Sequence, residues 1–593
     1  MSGSANGPGV GGHPGGMPID NQRVARLLYE LGVLSERLDD RSRRFRARAY
    51  RRAADAIATL DRDVATLSDE ALAAVPGIGA GTIARIGEIR RTGTIARLAE
   101  LRRLDPGGAE ELLRVPGLGP RTVARLRDTL GVRDIAGLRA ALNAGRVRTV
   151  RGLGPASEAR LRRALNALAY DTGPVAMPIA DAVAFATRVG TSLRRADGVS
   201  TVDWAGGLRR FDEAVDTIAL VAVSTAPDVT LAAARRLPWV REVVPGGPAR
   251  CELRTLDGPT VTLTVTAPPV AGPALVHATG TAGHWTAVQH RAAERSLHLT
   301  PAGLRDADGT LLATPGEDDL YRELNLPLIP PEQRDGGDEI ALARAGRLPA
   351  GAEVTDLRGD LHDHTDWSGD GRMTVEALLS AAVERGWEYL AITDHAEDLR
   401  INGLDRTAMR AQRRQVRDLR RRFGTLAVLH GAELNIGPDG TLDYDDAFLA
   451  DFDWTVASVH SHFDLDVAAQ TRRMVAAIRH PAVRAIGHLT GRRIGRRAGI
   501  ELDVDAVLDA CLDTGTALEV NCHLDRLDAP AEVLREAAAR GVLVVISTDA
   551  HRPRDLDHHR WGVRQARRGR VPRHLVANTW PVARFLEWSR AAV

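Results

Sequence analysis

Lysine is absent from all 593 residues, so the 79 side chains counted as Lys or Arg are arginine throughout. No side-chain amine exists for Schiff-base chemistry or for a lysine general base, and cationic contacts fall to permanently charged, planar guanidinium groups. Cysteine is almost as scarce. Cys251, Cys511 and Cys522 form no C-x-x-C pair, which excludes a disulfide framework and a cysteine-rich zinc site. No stretch approaches the roughly 18 uninterrupted apolar residues of a membrane-spanning helix, and the N-terminus lacks the apolar core of a signal peptide. A cytoplasmic location without a membrane partner is expected. The composition, 44% hydrophobic and 26% charged, is ordinary for a folding chain. The length predicts roughly three or four domains.

The net charge of +2 is unevenly spread: residues 19–170 carry 29 arginines against 18 carboxylates, a local excess of +11. Residues 1–18, Gly/Pro-rich and almost uncharged, read as a disordered tail. From Asn21 the apolar spacing is helical through VARLLYELGVLSERL and FRARAYRRAADAIATL. A repeat follows, VPGIG at Val75–Gly79, VPGLG at Val115–Gly119 and VRGLG at Val150–Gly154, each leading into an arginine-rich helical stretch. Glycines there permit a tight turn and leave amide N–H groups at a helix start free to meet a phosphate. The repeats resemble the helix-hairpin-helix motif of DNA-binding proteins. That resemblance implies DNA as partner, held without sequence preference through Gly77, Gly79, Gly117, Gly119, Arg121, Gly152 and Gly154.

From about residue 172 to 330 the pattern changes to short β-branched runs mixed with helices, such as VDTIALVAV (Val215–Val223) and TVTLTVTA (Thr260–Ala267), an α+β signature. The Pro-rich, acidic stretch LPLIPPEQRDGGDE (Leu326–Glu339) reads as a connection. The expected domains are a helical hairpin domain at 19–100, a second hairpin, fingers-like domain at 101–171, an α+β core at 172–330, a linker at 331–352 and a last domain at 353–593.

Histidine concentrates at the end, with 13 of 18 beyond residue 359. His362 and His364 in GDLHDHTDWSGDG fall on one face of an extended segment, since side chains alternate with period 2, and Asp370 follows in the loop. Apolar runs then end in His395, Glu433, His460, His488, and Asp549 with His551. Six apolar strands, each followed by such a side chain and most separated by helical stretches, predict a βα barrel with its chemistry at the C-terminal rim. Nine histidine and carboxylate groups suit two or three divalent ions such as zinc, manganese or iron better than calcium. Arg526 in EVNCHLDRLD and Arg492 in GHLTGRR are candidates for a bidentate contact to substrate phosphate.

This last segment resembles the PHP domain, and all nine ligand positions of that family are filled. The resemblance implies one ion on His362, His364, Glu433 and Asp549, a second bridged by Glu433 to His460 and His488, and a third on Asp370, His395 and His551. One extra residue precedes Asp370 in WSGDG. Glu433, Asp549, His364 and Arg526 are the expected catalytic positions.

The order of parts from about Asn21 onward resembles a bacterial family X DNA polymerase, carried by FRARAYRRAADAI, the hairpins, AGGLRR (Ala205–Arg210), TGTAGHW (Thr279–Trp285) and LNLPLIPPEQR. The resemblance implies a nucleotidyltransferase-like core whose three metal-binding aspartates fall here on Thr217, Ala219 and Thr262. Neutral side chains cannot hold two magnesium ions, so the core reads as a degenerate polymerase fold, with Glu252 a nearby carboxylate of unassigned role. The whole is therefore expected to be a nucleoid-associated, DNA-binding, metal-dependent phosphoesterase of DNA repair, acting as 3′→5′ exonuclease, abasic-site endonuclease or 3′-phosphatase on gapped, nicked or damaged DNA. A histidinol-phosphatase-type enzyme, a working polymerase and a non-catalytic scaffold are the other readings. A fragment spanning 19–170 is expected to bind DNA of any sequence with an affinity that falls steeply with salt, because phosphate contacts release counterions. A gel-shift titration at low salt that detects no binding would refute this.

Overall fold

The computed structural model describes residues 19–38, 44–58, 60, 62–104, 112, 115, 118–168, 176–256 and 258–590. The tail 1–18, Gly117 and the side chain of Arg121 lie outside the described residues. No described helix is long and apolar enough to cross a membrane. The chain divides into two compact units. The first holds the N-terminal helices with Arg188–Val202 and Ala222–Val265, and the second holds Met177–Thr187, Asp203–Val221 and everything from Thr266 on.

In the first unit the helices Asn21–Leu38 and Arg44–Ile57 bury Val24, Leu28, Leu31, Ala47, Ala54 and Ile57. All three repeats make one turn. The amides of Ile78, Leu118 and Leu153 donate to the carbonyls of Val75, Val115 and Val150 at 3.1, 2.9 and 2.9 Å. Gly77 and Gly152 take φ of +95° and +84°, a region that L side chains avoid. The following helices are Ala80–Thr92, Pro120–Leu130 and Pro155–Leu168. Gly79 and Gly119 cap the first two without a side-chain bond, and a Cβ added at Gly79, Gly119 or Gly154 meets nothing within 4 Å. Those helix starts are open to a close-approaching phosphate backbone. Further along, strand Arg250–Thr255 pairs antiparallel with Val240–Pro245 and with Thr260–Thr266.

The second unit is built on a seven-stranded, all-parallel sheet in sequential order: Gly359–Asp360, Tyr389–Ile392, Ala427–Asn435, Trp454–Ser458, Ala485–Ile486, Ala517–Asn521 and Val544–Ser547. This is one strand more than the six expected. The additional one, Ala517–Asn521, carries Glu519 in its middle and ends on no expected ligand. Helices alternate with the strands, and five of them start on a side-chain cap. Thr374, Asp405, Asp445, Asp466 and Asp503 each accept a bond from the backbone N–H three residues on. Helix Arg406–Arg422, polar over most of its length, buries Met409, Gln412, Val416 and Leu419, one face at i, i+3, i+7, i+10 spacing.

The sheet is nearly closed. At the C-terminal end of the strands, Asp363 and Ala550 form a parallel bridge, and the amide of His364 donates to the carbonyl of Ala550 at 2.9 Å. At the other end the amide of Asn578 joins first strand to last. Its Nδ2 donates to Gly359 O and Ile546 O at 3.0 and 2.8 Å, and its Oδ1 accepts from Ile546 N at 3.0 Å. Below it the helix Val582–Arg590 sets Phe585 flat on Tyr389, with centroids 4.2 Å apart, and against Trp454. The stretch 331–352, expected as a linker, forms the turn Pro331–Gln333 and the helix Glu339–Arg344. It buries Glu332, Gln333, Arg334 and Glu339. His284 ties in there, with Nδ1 2.7 Å from Glu339 and Nε2 2.9 Å from the Tyr321 hydroxyl. Asn578→Ala leaves three buried backbone groups without partners, and the expected loss is about 2–4 kcal/mol. Thermal unfolding of the full chain checks it: an unchanged midpoint would remove Asn578 from the closure.

Candidate metal centre

Every strand of the barrel ends on the same rim, so side chains placed at or just past strand ends converge there. His362 and His364 follow the first strand, with Asp363 between them pointing away to the Thr548 hydroxyl at 3.2 Å. His395 lies past the second strand and is the direct bridge partner of Glu433, which stands inside the third. His460 and His488 follow the fourth and fifth strands, and Asp549 and His551 the seventh. Asp370 comes in on the loop after the first strand, held by Asn402 Nδ2 at 2.7 Å. All nine expected residues thus share one rim. The backbones of Asp549 (φ +52°) and His488 (φ +24°) sit in the left-handed region, strain of the kind that concentrates at functional sites.

Ligand atoms fall into three overlapping groups, each within 4.8 Å: His362, His364 and Asp549; His395, Glu433 and His460; and His364, Asp370, His395 and His551. Glu433 divides its oxygens between them. Oε1 faces His488 at 2.9 Å and His460 at 3.2 Å, while Oε2 faces His362 at 3.5 Å and His364 at 3.6 Å. Asp370 Oδ2 lies 3.3 Å from His395 and 3.5 Å from His551. His395 falls in one group with Asp370 and His551, as the resemblance implied, and also faces Glu433. As the register partner of Glu433 it presents Nδ1 to that carboxylate at 2.7 Å and Nε2 to Asp370, so it stands between two groups.

Several buried atoms here have no hydrogen-bond partner: Nε2 of His362, both ring nitrogens of His364, Nδ1 of His488 and Oδ1 of Asp370. Buried polar atoms are rarely left unmet, and imidazole nitrogens and carboxylate oxygens converging at these separations suit divalent first-row ions. The charges of these groups act on one another. Burial alone would lower the His362 imidazole, but Glu519, Glu433 and Asp549 around it raise it well above its ordinary value. Burial would raise the Glu433 carboxyl, yet His460, His362 and His395 hold it well below. His488, buried and near Arg526, is pushed down to about 3. His364, buried beside His395 and His551, is pushed down to about 4.

Behind the rim a second set of contacts fixes ring orientation. His362 Nδ1 meets Glu519 Oε2 at 2.8 Å, His460 Nδ1 meets Asn435 Oδ1 at 2.7 Å, and His551 Nδ1 meets the carbonyl of Asp549 at 2.8 Å. Glu519 and Asn435 were not found from the sequence, although a lone carboxylate inside the apolar run TALEV is a readable signal. The nine residues line or underlie an open cleft of about 710 Å³ whose walls add Arg493, His523, Arg526, Arg552, Arg554 and His558. Of the two arginine candidates, Arg526 reaches it, with Nε 3.8 Å from Asp549 Oδ2 and Nη1 buried without a partner. Arg492 does not, because its guanidinium is engaged bidentately by Glu213 at 2.7 and 3.1 Å. Glu519→Gln removes the anionic acceptor from His362, and metal affinity is expected to fall about 10- to 100-fold. Titration with Mn²⁺ or Zn²⁺ under calorimetry checks this, and an unchanged affinity would mean that Glu519 does not orient the ring.

Comparison with known proteins matches four families along the chain. They are a helix-hairpin-helix domain at 19–95, a SAM-like helix-hairpin-helix tandem at 109–167, a DNA polymerase beta thumb at 274–335 and a PHP domain at 360–523. The hairpin and thumb families imply DNA binding, and the PHP family implies metal dependence. Probable phosphatases of Vibrio atlanticus and Caldicellulosiruptor saccharolyticus are 26% and 24% identical over 33% and 40% of this chain and 79% and 96% of their own length. The DNA polymerase/3′-5′ exonuclease PolX of Bacillus subtilis is 33% identical over 551 residues, 92% of this chain and 95% of that protein. With relatedness of that extent running through hairpins, thumb and metal rim alike, the chain belongs to the bacterial family X DNA polymerases that carry a C-terminal PHP domain.

Proposed function

We propose that the chain is a 3′-end-processing DNA phosphoesterase, a 3′→5′ exonuclease in its principal activity, whose polymerase activity has been lost. The observation that carries the proposal is the set of nine histidine and carboxylate side chains converging on one open, arginine-walled cleft, in a chain related over nearly its whole length to a DNA polymerase/3′-5′ exonuclease. His362, His364, Asp370, His395, Glu433, His460, His488, Asp549 and His551 would hold two or three divalent ions, manganese, zinc or iron by donor type. Such ions supply Lewis acidity to the phosphoryl group and lower the pKa of water to about 7. The protein's own residues do the rest. Glu433 spans two groups with its two oxygens and sets the spacing between them. Arg526 lines the cleft beside Asp549, where its guanidinium can meet a phosphate oxygen, and Arg493, Arg552 and Arg554 on the walls suit a polyanion longer than one phosphate. The hairpin glycines Gly77, Gly79, Gly119, Gly152 and Gly154 supply sequence-independent contacts to the DNA backbone.

Loss of polymerization rests on Thr217, Ala219 and Thr262, which stand on strands Thr217–Ser224 and Thr260–Thr266 where the family places its aspartates. Glu252 is the direct antiparallel partner of Thr262 and shares its face of the sheet, but it lies 3.5 Å from Arg254 and is a single carboxylate where three are needed. A phosphatase acting on small esters is the second reading, favoured by the probable phosphatases that match the same barrel.

Purified protein with Mn²⁺ is expected to shorten 3′-ended DNA and to leave primers unextended. Glu433→Gln, which removes a charge shared by two groups, is expected to cost about 10²-fold or more in rate, and Asp549→Asn less. Wild-type cleavage rates in Glu433→Gln, or hydrolysis of histidinol phosphate with all DNA left intact, would overturn the exonuclease. Nucleotide incorporation that survives Glu433→Gln would overturn the loss of polymerization.

A further inference from the structure

Three consecutive residues that follow the AGGLRR segment all engage the barrel. Phe211 stacks on one side of Trp561 at 6.1 Å while Trp204 stacks on it at 6.2 Å, and Arg564 lies over the Phe211 ring at 4.8 Å. Asp212 receives Arg568 at 2.7 Å. Glu213 receives Arg492 through both its oxygens. The strip is itself held in place, since the Glu213 carbonyl accepts from Ile179 N at 2.9 Å and Ala214–Val215 pairs with Met177–Pro178. All of these residues belong to the second compact unit.

Arg492 leads onward from there to the cleft. Its Nε donates to the carbonyl of Arg526 at 2.8 Å, and its Nη2 donates to the carbonyl of Leu527. Leu527 has φ +42°, a conformation that a leucine does not hold unaided. A second donor, Gln565 Nε2, meets the same carbonyl at 2.9 Å. One guanidinium therefore fastens the two peptide groups that follow the Arg526 Cα, and Glu213 fixes that guanidinium in plane and azimuth. A bidentate carboxylate does this better than a single acceptor, because two parallel bonds define orientation as well as distance.

We infer that Glu213, a residue of the polymerase-derived core, is a positioning residue for Arg526 in the phosphoesterase cleft, acting through Arg492. The inference rests on the reading of Arg526 as a phosphate contact. Glu213 touches neither the candidate ligands nor the cleft, and its effect is confined to where the Arg526 side chain starts. Arg526 contacts a phosphate both before and during reaction, so misplacing it weakens substrate binding more than turnover.

The test uses the full chain with Mn²⁺ and an end-labelled oligonucleotide. Glu213→Ala is expected to raise KM about 3- to 10-fold with kcat within about twofold of wild type, the signature of lost uniform binding. Glu213→Asp is expected to recover part of the loss. In an Arg526→Ala background, Glu213→Ala is expected to add nothing, because the group it positions is gone. A Glu213→Ala protein with wild-type KM, or one whose KM rise multiplies unchanged onto that of Arg526→Ala, overturns the inference while leaving the phosphate contact standing. Wild-type KM in Arg526→Ala overturns the phosphate contact and the inference together. If Glu213→Ala does not fold, Glu213→Gln keeps the packing, removes the charge and carries the same comparison.

Discussion

A carboxylate taken out of water costs several kcal/mol unless charge and hydrogen bonds meet it, and Glu433 is 1% exposed toward the end of the buried strand Ala427–Asn435. What meets it is a ring of five imidazoles, from His362, His364, His395, His460 and His488, placed just past the first, second, fourth and fifth strands. Those strands can deliver their side chains to one point only if the sheet curls and very nearly closes. The need to surround one buried charge and the curvature of the sheet are thus the same constraint seen from two sides. The Asp363–Ala550 bridge and the Asn578 amide supply that curvature at opposite ends of the first and last strands.

The polymerase-derived segment shows the same economy at a smaller scale. Arg209 and Arg334 converge on Glu317, with Arg209 Nη2 to Oε2 at 2.7 Å and Arg334 Nη1 to Oε1 at 2.5 Å, and together they hold that buried carboxyl down to about 2. Arg210 is engaged by Asp212 at 2.7 Å and by the carbonyl of Thr279 at 2.8 Å. The arginines of AGGLRR therefore spend their donors inside the protein. In a chain with no lysine, each such internal guanidinium also fills space with a planar group that a flexible amine would leave loose.

The candidate ligands were legible because barrel geometry turns strand ends into a common rim, and the strand ends were marked by apolar runs stopping at His395, His460, His488 and Asp549. The hairpins were legible because only glycine tolerates the φ of Gly77 and Gly152. Other features were not read from the sequence. Strand Ala517–Asn521 hides behind Glu519, whose partner His362 is 157 residues away. Two of the expected strands shrink to two residues each, Gly359–Asp360 and Ala485–Ile486, held by pairing with their neighbours. Arg492 and Arg526 look equivalent in sequence. The difference lies in Glu213, 279 residues before Arg492, whose two oxygens decide which arginine is left for the cleft. The packed turn and helix within 331–352 were missed for a related reason, since the burial of Glu332 and Arg334 depends on distant partners such as Arg564 and Glu317.

Sequential strand order has a consequence for how the barrel comes into being. Each of the first six strands pairs with the one made just before or after it, so most of the sheet can assemble as the chain emerges, N-terminal part first. The closing pieces all follow the first six strands: strand Val544–Ser547, Asp549, His551, Asn578 and the Phe585 plug come after them in the chain. A nascent chain therefore presents Glu433 and the histidines that face it without Asp549 and His551 until the segment from Val544 onward has been made. Ion uptake by the complete set waits for that segment, and a chain terminated before Val544 lacks both the seventh strand and two of the nine donors.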